Sequence, residues 1–137
     1  MRTARTLGAA QGLYLLVTGV WPLVHYRSFE WLTGPKKDEW LVQTVGGLLG
    51  TIGWTMLQSG ESSDAERNVR TLGIGTAATL GTIDTIYALA GRLRPIYLAD
   101  AVVEFAFVAA WLRQGQSESA GATRASRKSG ATPASRR

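Results

Sequence analysis

The chain has 137 residues, the length of one ordinary domain, and contains no cysteine. Hydrophobic residues make up 45% of it and charged residues only 18%, against about 25% charged residues in a typical soluble domain. The lack of cysteine excludes disulfides, a thiolate nucleophile and a zinc site built on sulfur. With one histidine, no phosphate-binding glycine loop and no paired-histidine metal motif, the sequence argues against an enzyme, a metal ion and a cofactor.

The net charge of +5 belongs to the C-terminal end. Basic and acidic residues balance over residues 1–112, whereas residues 113–137 carry six basic side chains and the single acid Glu118. This segment is rich in Ser, Gly and Ala, and there is no basic face elsewhere, so a nucleic-acid partner is not expected. Residues 115–137 are predicted to form a disordered basic tail on the cytoplasmic side, near anionic lipid headgroups.

Four apolar segments are long enough to cross a bilayer, which needs about 20 helical residues. In chain order the predicted helices cover about residues 5–24, 35–57, 64–90 and 95–113. Their middles lack the Lys and Glu that recur at each turn on the surface of a soluble helix. The sequence thus predicts an all-α fold, in which residues 1–114 form an antiparallel bundle of four transmembrane helices.

The first helix should bend or end near Val24, because Pro22 cannot donate a hydrogen bond to the carbonyl of Thr18. Two arginines precede its apolar run, as in a signal peptide. Residues 21–25 offer no small-x-small cleavage site, so the segment is predicted to stay in the protein.

The following loop, residues 25–39, contains Phe29, Trp31 and Leu32, which are suited to a short interfacial turn in the headgroup region. An ordinary amphipathic connection is the favoured alternative. Gly34 and Pro35 place proline in the first turn of the second helix, where its missing N–H is harmless.

Capping signals mark the remaining ends. Ser63 and Glu66 have the spacing of a capping box at the start of the third helix. Gly91 suits a left-handed C-terminal cap, Pro95 begins the fourth helix and Gly115 closes it.

With four spans, both termini and the 58–66 loop lie on one side of the membrane. That side carries ten of the 15 Lys and Arg residues, so the positive-inside rule predicts cytoplasmic termini and an inner-membrane location. Aromatic residues are expected in two interfacial belts: an inner belt of Trp54 and Trp111, and an outer belt of Trp21, Trp31, Trp40 and Tyr97.

Small residues recur at four-residue spacing and are predicted to pack the helices. In lipid, close backbone approach through small residues holds helices together better than leucine does. Packing within one monomer is favoured over a homo-oligomer interface. The predicted packing residues are Gly46 and Gly50 on the second helix and Gly73, Ala77 and Gly81 on the third.

Charged residues inside the predicted spans carry the main functional signal. Asp84, Asp100 and Glu104 lie within the third and fourth helices, and an aspartate at mid-span costs about 2.5–3.5 kcal/mol on insertion scales. Antiparallel geometry places Asp84 and Asp100 at similar depth, with Glu104 one turn deeper. The candidate intramembrane polar cluster, with its basic and amide partners, is His25, Arg27, Gln43, Asp84, Arg92, Arg94, Asp100 and Glu104.

Two hypotheses for this cluster remain open. In the favoured one, basic residues neutralise the carboxylates and the cluster fixes helix register. In the other, the carboxylates bind or relay a proton or a cationic solute.

The sequence resembles a group of small bacterial four-helix membrane proteins over about residues 8–112. The resemblance implies the four-helix fold and a cytoplasmic-membrane location, and it carries no catalytic or binding role. It depends on four strings: Trp21-Pro22-Leu23-Val24-His25, Thr33-Gly34-Pro35-Lys36, Trp40 to Gly46, and Pro95-Ile96-Tyr97-Leu98-x-Asp100-x-x-x-Glu104.

The sequence therefore predicts a small integral membrane protein with an accessory or structural role, whose partner is the lipid bilayer. The alternative is a proton- or cation-linked carrier of a small solute that uses the intramembrane carboxylates.

Overall fold

The computed structural model describes residues 2–35, 37–60 and 62–129, and these residues form five α-helices and no strand. The all-helical class is confirmed. Residues 130–137, the end of the predicted tail, lie outside the described residues. The helices are α1 (Arg2–Val24), α2 (Tyr26–Thr33), α3 (Glu39–Gln58), α4 (Ser63–Leu89) and α5 (Ile96–Ser129).

Several helix ends differ from the sequence-based prediction. Helix α1 ends at Val24 as expected, with Pro22 in its last turn, and Gly91 adopts a positive φ of 70° after α4. Helix α3 begins at Glu39 and not at Pro35, because Gly34 (φ 90°) leaves the helical region and Asp38 takes the N-cap position. The cap of α4 is Ser62 instead of Ser63.

The loop of residues 25–39 contains the short helix α2, where the sequence favoured an ordinary amphipathic connection over a short interfacial turn. The His25 side chain caps it by accepting a hydrogen bond from the Ser28 backbone N–H (3.3 Å). The indole N–H of Trp21 donates to the Ser28 hydroxyl (2.7 Å), and Arg94 donates to the Trp31 carbonyl (2.9 Å). These bonds tie α2 to α1 and to the connection before α5.

Helix α5 continues past Gly115 to Ser129, so the predicted helix end at Gly115 is not observed and residues 115–129 are helical. Residues 115–129 contain no proline, and each glycine costs only about 1 kcal/mol in a helix interior. Side chains also hold the extension to α4. Arg70 donates to Glu118, and Gln114 donates to both Glu66 (3.2 Å) and Glu118 (3.0 Å).

Helices α1 and α3 pack antiparallel through glycines. A Cβ added at Gly19 would lie 2.5 Å from the Gly46 carbonyl oxygen, and one added at Gly46 would lie 2.5 Å from the Gly19 carbonyl oxygen. Gly12 and Gly53 form a second such pair, where a Cβ at Gly12 would lie 2.8 Å from the Gly53 oxygen. The two backbones therefore touch at positions where no larger residue fits.

Helices α4 and α5 form the second hairpin. Four-residue spacing places Val69, Gly73, Ala77 and Gly81 on one buried face of α4, and Asp84 continues it. Helix α1 contacts this hairpin with the face that includes Ala4, Gly8, Gln11 and Leu15. Because α3 packs mainly on α1, an open groove of about 800 Å³ remains between α3 and α4.

One described helix, over Thr3–Val24, is long and apolar enough to cross a membrane by length and mean hydropathy. Glycines, threonines and carboxylates in α3 to α5 lower the mean hydropathy of these helices. They do so whether their side chains face the interior or the exterior of the structure.

The glycine contact between α1 and α3 predicts a position-specific effect. Gly46→Ala should destabilise the protein by about 1–3 kcal/mol, because its methyl group would meet the backbone of Gly19. Gly47→Ala is the matched control, since nothing lies within 4 Å of a Cβ there. Thermal unfolding of the two purified variants measures the difference. Equal melting temperatures would show that α1 and α3 are not this close.

The link between α4 and the α5 extension predicts a dependence on pH. The hydrogen bond from Arg70 lowers the pKa of the Glu118 carboxyl. The stabilisation that this hydrogen bond provides is therefore fully present above the ordinary pKa of a glutamate. It is lost as the pH falls through the lowered pKa of Glu118. Glu118 is largely exposed, so the effect should stay below about 1 kcal/mol.

The protection factor of residues 114–126, which is the intrinsic exchange rate divided by the observed rate at the same pH, should fall at acidic pH in the native chain. In Glu118→Gln the protection factor should already be low at neutral pH and should change little on acidification. A pH response that survives this substitution would assign the link to other groups.

Candidate functional site

The interior of the helix assembly contains a group of acidic side chains from α4 and α5. Asp84 is 7% exposed and Glu104 is fully buried, while Asp100 is half-buried. Both aspartates lie within electrostatic reach of Glu104. The structure thus brings together the three carboxylates that the sequence singled out, which we call the carboxylate cluster (Asp84, Asp100 and Glu104).

Helix α1 closes one side of the carboxylate cluster with Tyr14. The Tyr14 hydroxyl donates a hydrogen bond to Oδ1 of Asp100. Its ring packs against Phe107 in a tilted arrangement, with the centroids 5.8 Å apart. A phenol beside a carboxylate can donate or share a proton, so three helices contribute titratable groups to this region.

Glu104 is the unusual member of the carboxylate cluster. Both of its carboxylate oxygens are buried, and neither has a hydrogen-bond partner among the described residues. Its Cβ lies 3.3 Å from where a Cβ of Gly81 would be, so the absence of a side chain at Gly81 makes room for it. An ionised carboxylate without a partner is costly to bury, which favours a neutral, protonated side chain here.

The other predicted members of the polar cluster lie outside it. His25 is exposed and caps α2, Gln43 is exposed and donates to Glu39 (3.1 Å), and Arg94 donates to the Trp31 carbonyl. Arg27 and Arg92 are exposed at the same end of the molecule. The structure therefore places these five side chains near the connecting segments.

A second buried polar group joins α1 to the α4–α5 hairpin, and sequence reasoning missed it. The Gln11 amide donates to the Gly73 carbonyl (2.9 Å), and its oxygen accepts from the Trp111 indole N–H (2.7 Å). Gln11 and Trp111 are both fully buried. Trp111 is thus an interior residue and not a member of the predicted inner belt.

A cavity of about 560 Å³ opens next to this Gln11–Trp111 pair, at the end where α1 and α4 begin and α3 ends. Ala4, Gly8, Met56, Val69 and Trp111 form its apolar part. Arg5, Ser59 and Glu66 supply its polar part. Size and lining are typical of a small-molecule or lipid site.

Over residues 2–35, 37–60 and 62–129, no three His, Cys, Asp or Glu side chains are arranged to hold a metal ion.

Searches of family models, curated proteins and solved structures find no match to this chain.

Proposed function

We propose that the chain is an integral membrane protein in which α1, α3, α4 and α5 cross the bilayer and both termini lie in the cytoplasm. The supporting observation is an inverted distribution of polarity. Charged and amide side chains such as Gln11, Asp84 and Glu104 are buried, whereas large apolar side chains are exposed. A water-soluble domain would bury the second kind and hydrate the first.

The exposed apolar surface extends over the four long helices. Leu13 on α1 is 54% exposed, Leu48 on α3 60% and Val102 on α5 69%, and Ile86 on α4 is exposed to a similar degree. A soluble monomer seldom exposes a continuous apolar surface of this extent. Hydrocarbon is the solvent that such a surface fits.

Exposed hydroxyl groups are compatible with the same proposal. Thr44 and Thr51 on α3 and Thr79 on α4 each donate to the carbonyl four residues earlier, at 2.8–2.9 Å. Thr123, which lies beyond the proposed spans, makes the same kind of bond (2.9 Å). A threonine that faces water does not need this bond. In lipid the back-bond satisfies the hydroxyl, because no water is present to do so.

The role supported by the packing is that of a structural or accessory membrane component. Much of the buried polarity joins helices: Gln11 and Trp111 connect the two hairpins, and Tyr14 connects α1 to Asp100. Buried hydrogen bonds of this kind fix register and orientation in a bundle.

Single-cysteine labelling tests the proposed topology, because the natural chain provides no background thiol. In intact cells or oriented vesicles, Lys37→Cys and Arg92→Cys should react with an impermeant maleimide added outside. Ser62→Cys and Ser119→Cys should react only after the membrane is opened, and Ala77→Cys, which replaces a fully buried residue, should stay unlabelled. Recovery of the protein in the soluble fraction without detergent would refute the membrane proposal.

A second candidate function, a proton-linked role in solute movement, is favoured by the burial of Glu104, whose carboxylate has no hydrogen-bond partner in the part of the chain that the structure describes. A carboxyl group that no neighbour fixes can exchange a proton when the bundle opens to water. Asp84 from α4 and Asp100 from α5 lie within electrostatic reach of Glu104, and Tyr14 from α1 donates to Asp100, so these groups offer a path for that proton.

Glu104→Gln separates the two roles, since it keeps the shape of the side chain and removes its charge. If Glu104 exchanges a proton, the melting temperature in detergent should fall as pH rises from 5 to 9, and Glu104→Gln should be flat over this range. Glu39→Gln, at an exposed position on α3, is the control and should behave like the native chain. If the melting temperatures of the native chain, Glu104→Gln and Glu39→Gln depend on pH in the same way, the carboxylate cluster has a purely structural role.

A further inference from the structure

A layer formed by Gln11, Gly73 and Trp111, which we call the Gln11 layer, divides the interior of the helix assembly. On one side, toward the inner end where α1 and α4 begin, lies the cavity of about 560 Å³, and Trp111 itself lines it. On the other side lies the carboxylate cluster, because Glu104 precedes Trp111 by seven residues on α5, about 10 Å along the helix. The cavity and the cluster therefore face opposite ends of the helices.

The Gln11 layer is tightly closed. Gln11 and Trp111 are fully buried and bonded to each other, and Gln11 also donates to the carbonyl of Gly73. Leu15 from α1 and Ala77 from α4, one turn nearer the carboxylate cluster, are fully buried as well. None of these amide, indole and apolar side chains titrates near neutral pH, so they cannot pass a proton across the layer.

On the other side of the layer, burial decreases from Glu104 toward the outer end, where α2 and the connection between α4 and α5 lie. Glu104 is fully buried, Asp84 is 7% exposed, and Asp100 is half-buried. Asp100 lies four residues after the start of α5 at Ile96, about 6 Å along the helix. Because four-residue spacing puts Asp100 and Glu104 on one face of α5, the most exposed acid is adjacent to the most buried one.

Tyr14 holds Asp100 in this position. Its hydroxyl donates to Oδ1 of Asp100, and this bond joins α1 to the outer part of α5. Among the described residues, the charged groups within electrostatic reach of Glu104 are Asp84 on α4 and Asp100 on α5. Tyr14 is thus a positioning residue that orients the acid nearest the outer end.

We propose that Glu104 exchanges its proton only with the outer end of the helices, through Asp100, and that the Gln11 layer closes the route from the inner cavity. A proton that Asp100 takes up from water passes to the Glu104 carboxylate. Asp100 is then left ionised until it takes up another proton. In the proposed topology the cluster responds to the pH outside the cell. The inference rests on the membrane location and on the proton-linked candidate function.

The full chain in sealed lipid vesicles tests this sidedness, because the pH on the two sides can be set separately. Labelling of Lys37→Cys with an impermeant maleimide gives the fraction of molecules whose outer end faces the external solution. Time-resolved infrared spectra then follow the carboxyl band that is absent in Glu104→Gln. After an external pH jump, the responding fraction of this band should equal the labelled fraction. The remainder should respond only to a change of the internal pH.

Two variants test the route. Tyr14→Phe should slow the response about tenfold, the effect of losing one hydrogen bond to a charged group, without changing its final amplitude. Tyr87→Phe, at an exposed position on α4, is the matched control and should respond like the native chain. Asp100→Asn should slow the response further, because an amide cannot take up the proton and pass it on. An unchanged rate in Tyr14→Phe or in Asp100→Asn would overturn the route.

The native chain alone decides the sidedness, so a variant that fails to fold leaves the test intact. A Glu104 band that follows the pH at both ends equally fast would overturn the one-sided access and leave the proton-linked function standing. A band that follows neither pH would refute that function together with this inference. The cysteine labelling decides the topology independently of both results.

Discussion

The side-chain amide of Gln11 is the interaction on which the tertiary arrangement depends. Helices α1 and α3 form one hairpin-like pair and α4 and α5 another, and Gln11 bonds to both members of the second pair, through the Gly73 carbonyl and the Trp111 indole. These two hydrogen bonds are buried, so neither can be exchanged for a bond to water. Gly73 is required at this point, because a Cβ there would lie 2.5 Å from the Gln11 side-chain oxygen.

Two kinds of contact hold the helices together: close backbone contacts at glycines, and contacts that include buried hydrogen bonds. Between α1 and α3 the contact is backbone against backbone, at Gly12, Gly19, Gly46 and Gly53, and dispersion over this close approach stabilises it. Between α1 and the α4–α5 hairpin the contact is made by hydrogen bonds and by Leu15, Val69 and Trp111. An apolar exterior is compatible with both arrangements, since neither requires burial of large aliphatic side chains.

Periodic features could be predicted from the sequence, and long-range pairings could not. Four-residue spacing identified the face of α4 from Gly73 to Asp84, and hairpin geometry placed Asp84 level with Asp100. Trp111 was assigned to an interfacial belt because its partner, Gln11, is 100 positions away along the chain. Among the described residues, the Glu104 carboxylate has no hydrogen-bond partner, and no local sequence pattern indicates this. The end of α5 was missed because Glu118 gains its partner from α4.

The continuation of α5 beyond Arg113 carries its basic residues far from the rest of the helices. From Arg113 to Ser129 a helix rises about 24 Å at 1.5 Å per residue. This exceeds the Debye length of about 8 Å at physiological ionic strength. In the proposed topology, the charges of Arg124 and Arg127 are therefore screened from the lipid surface, while Arg70 of α4 holds the beginning of this extension through Glu118.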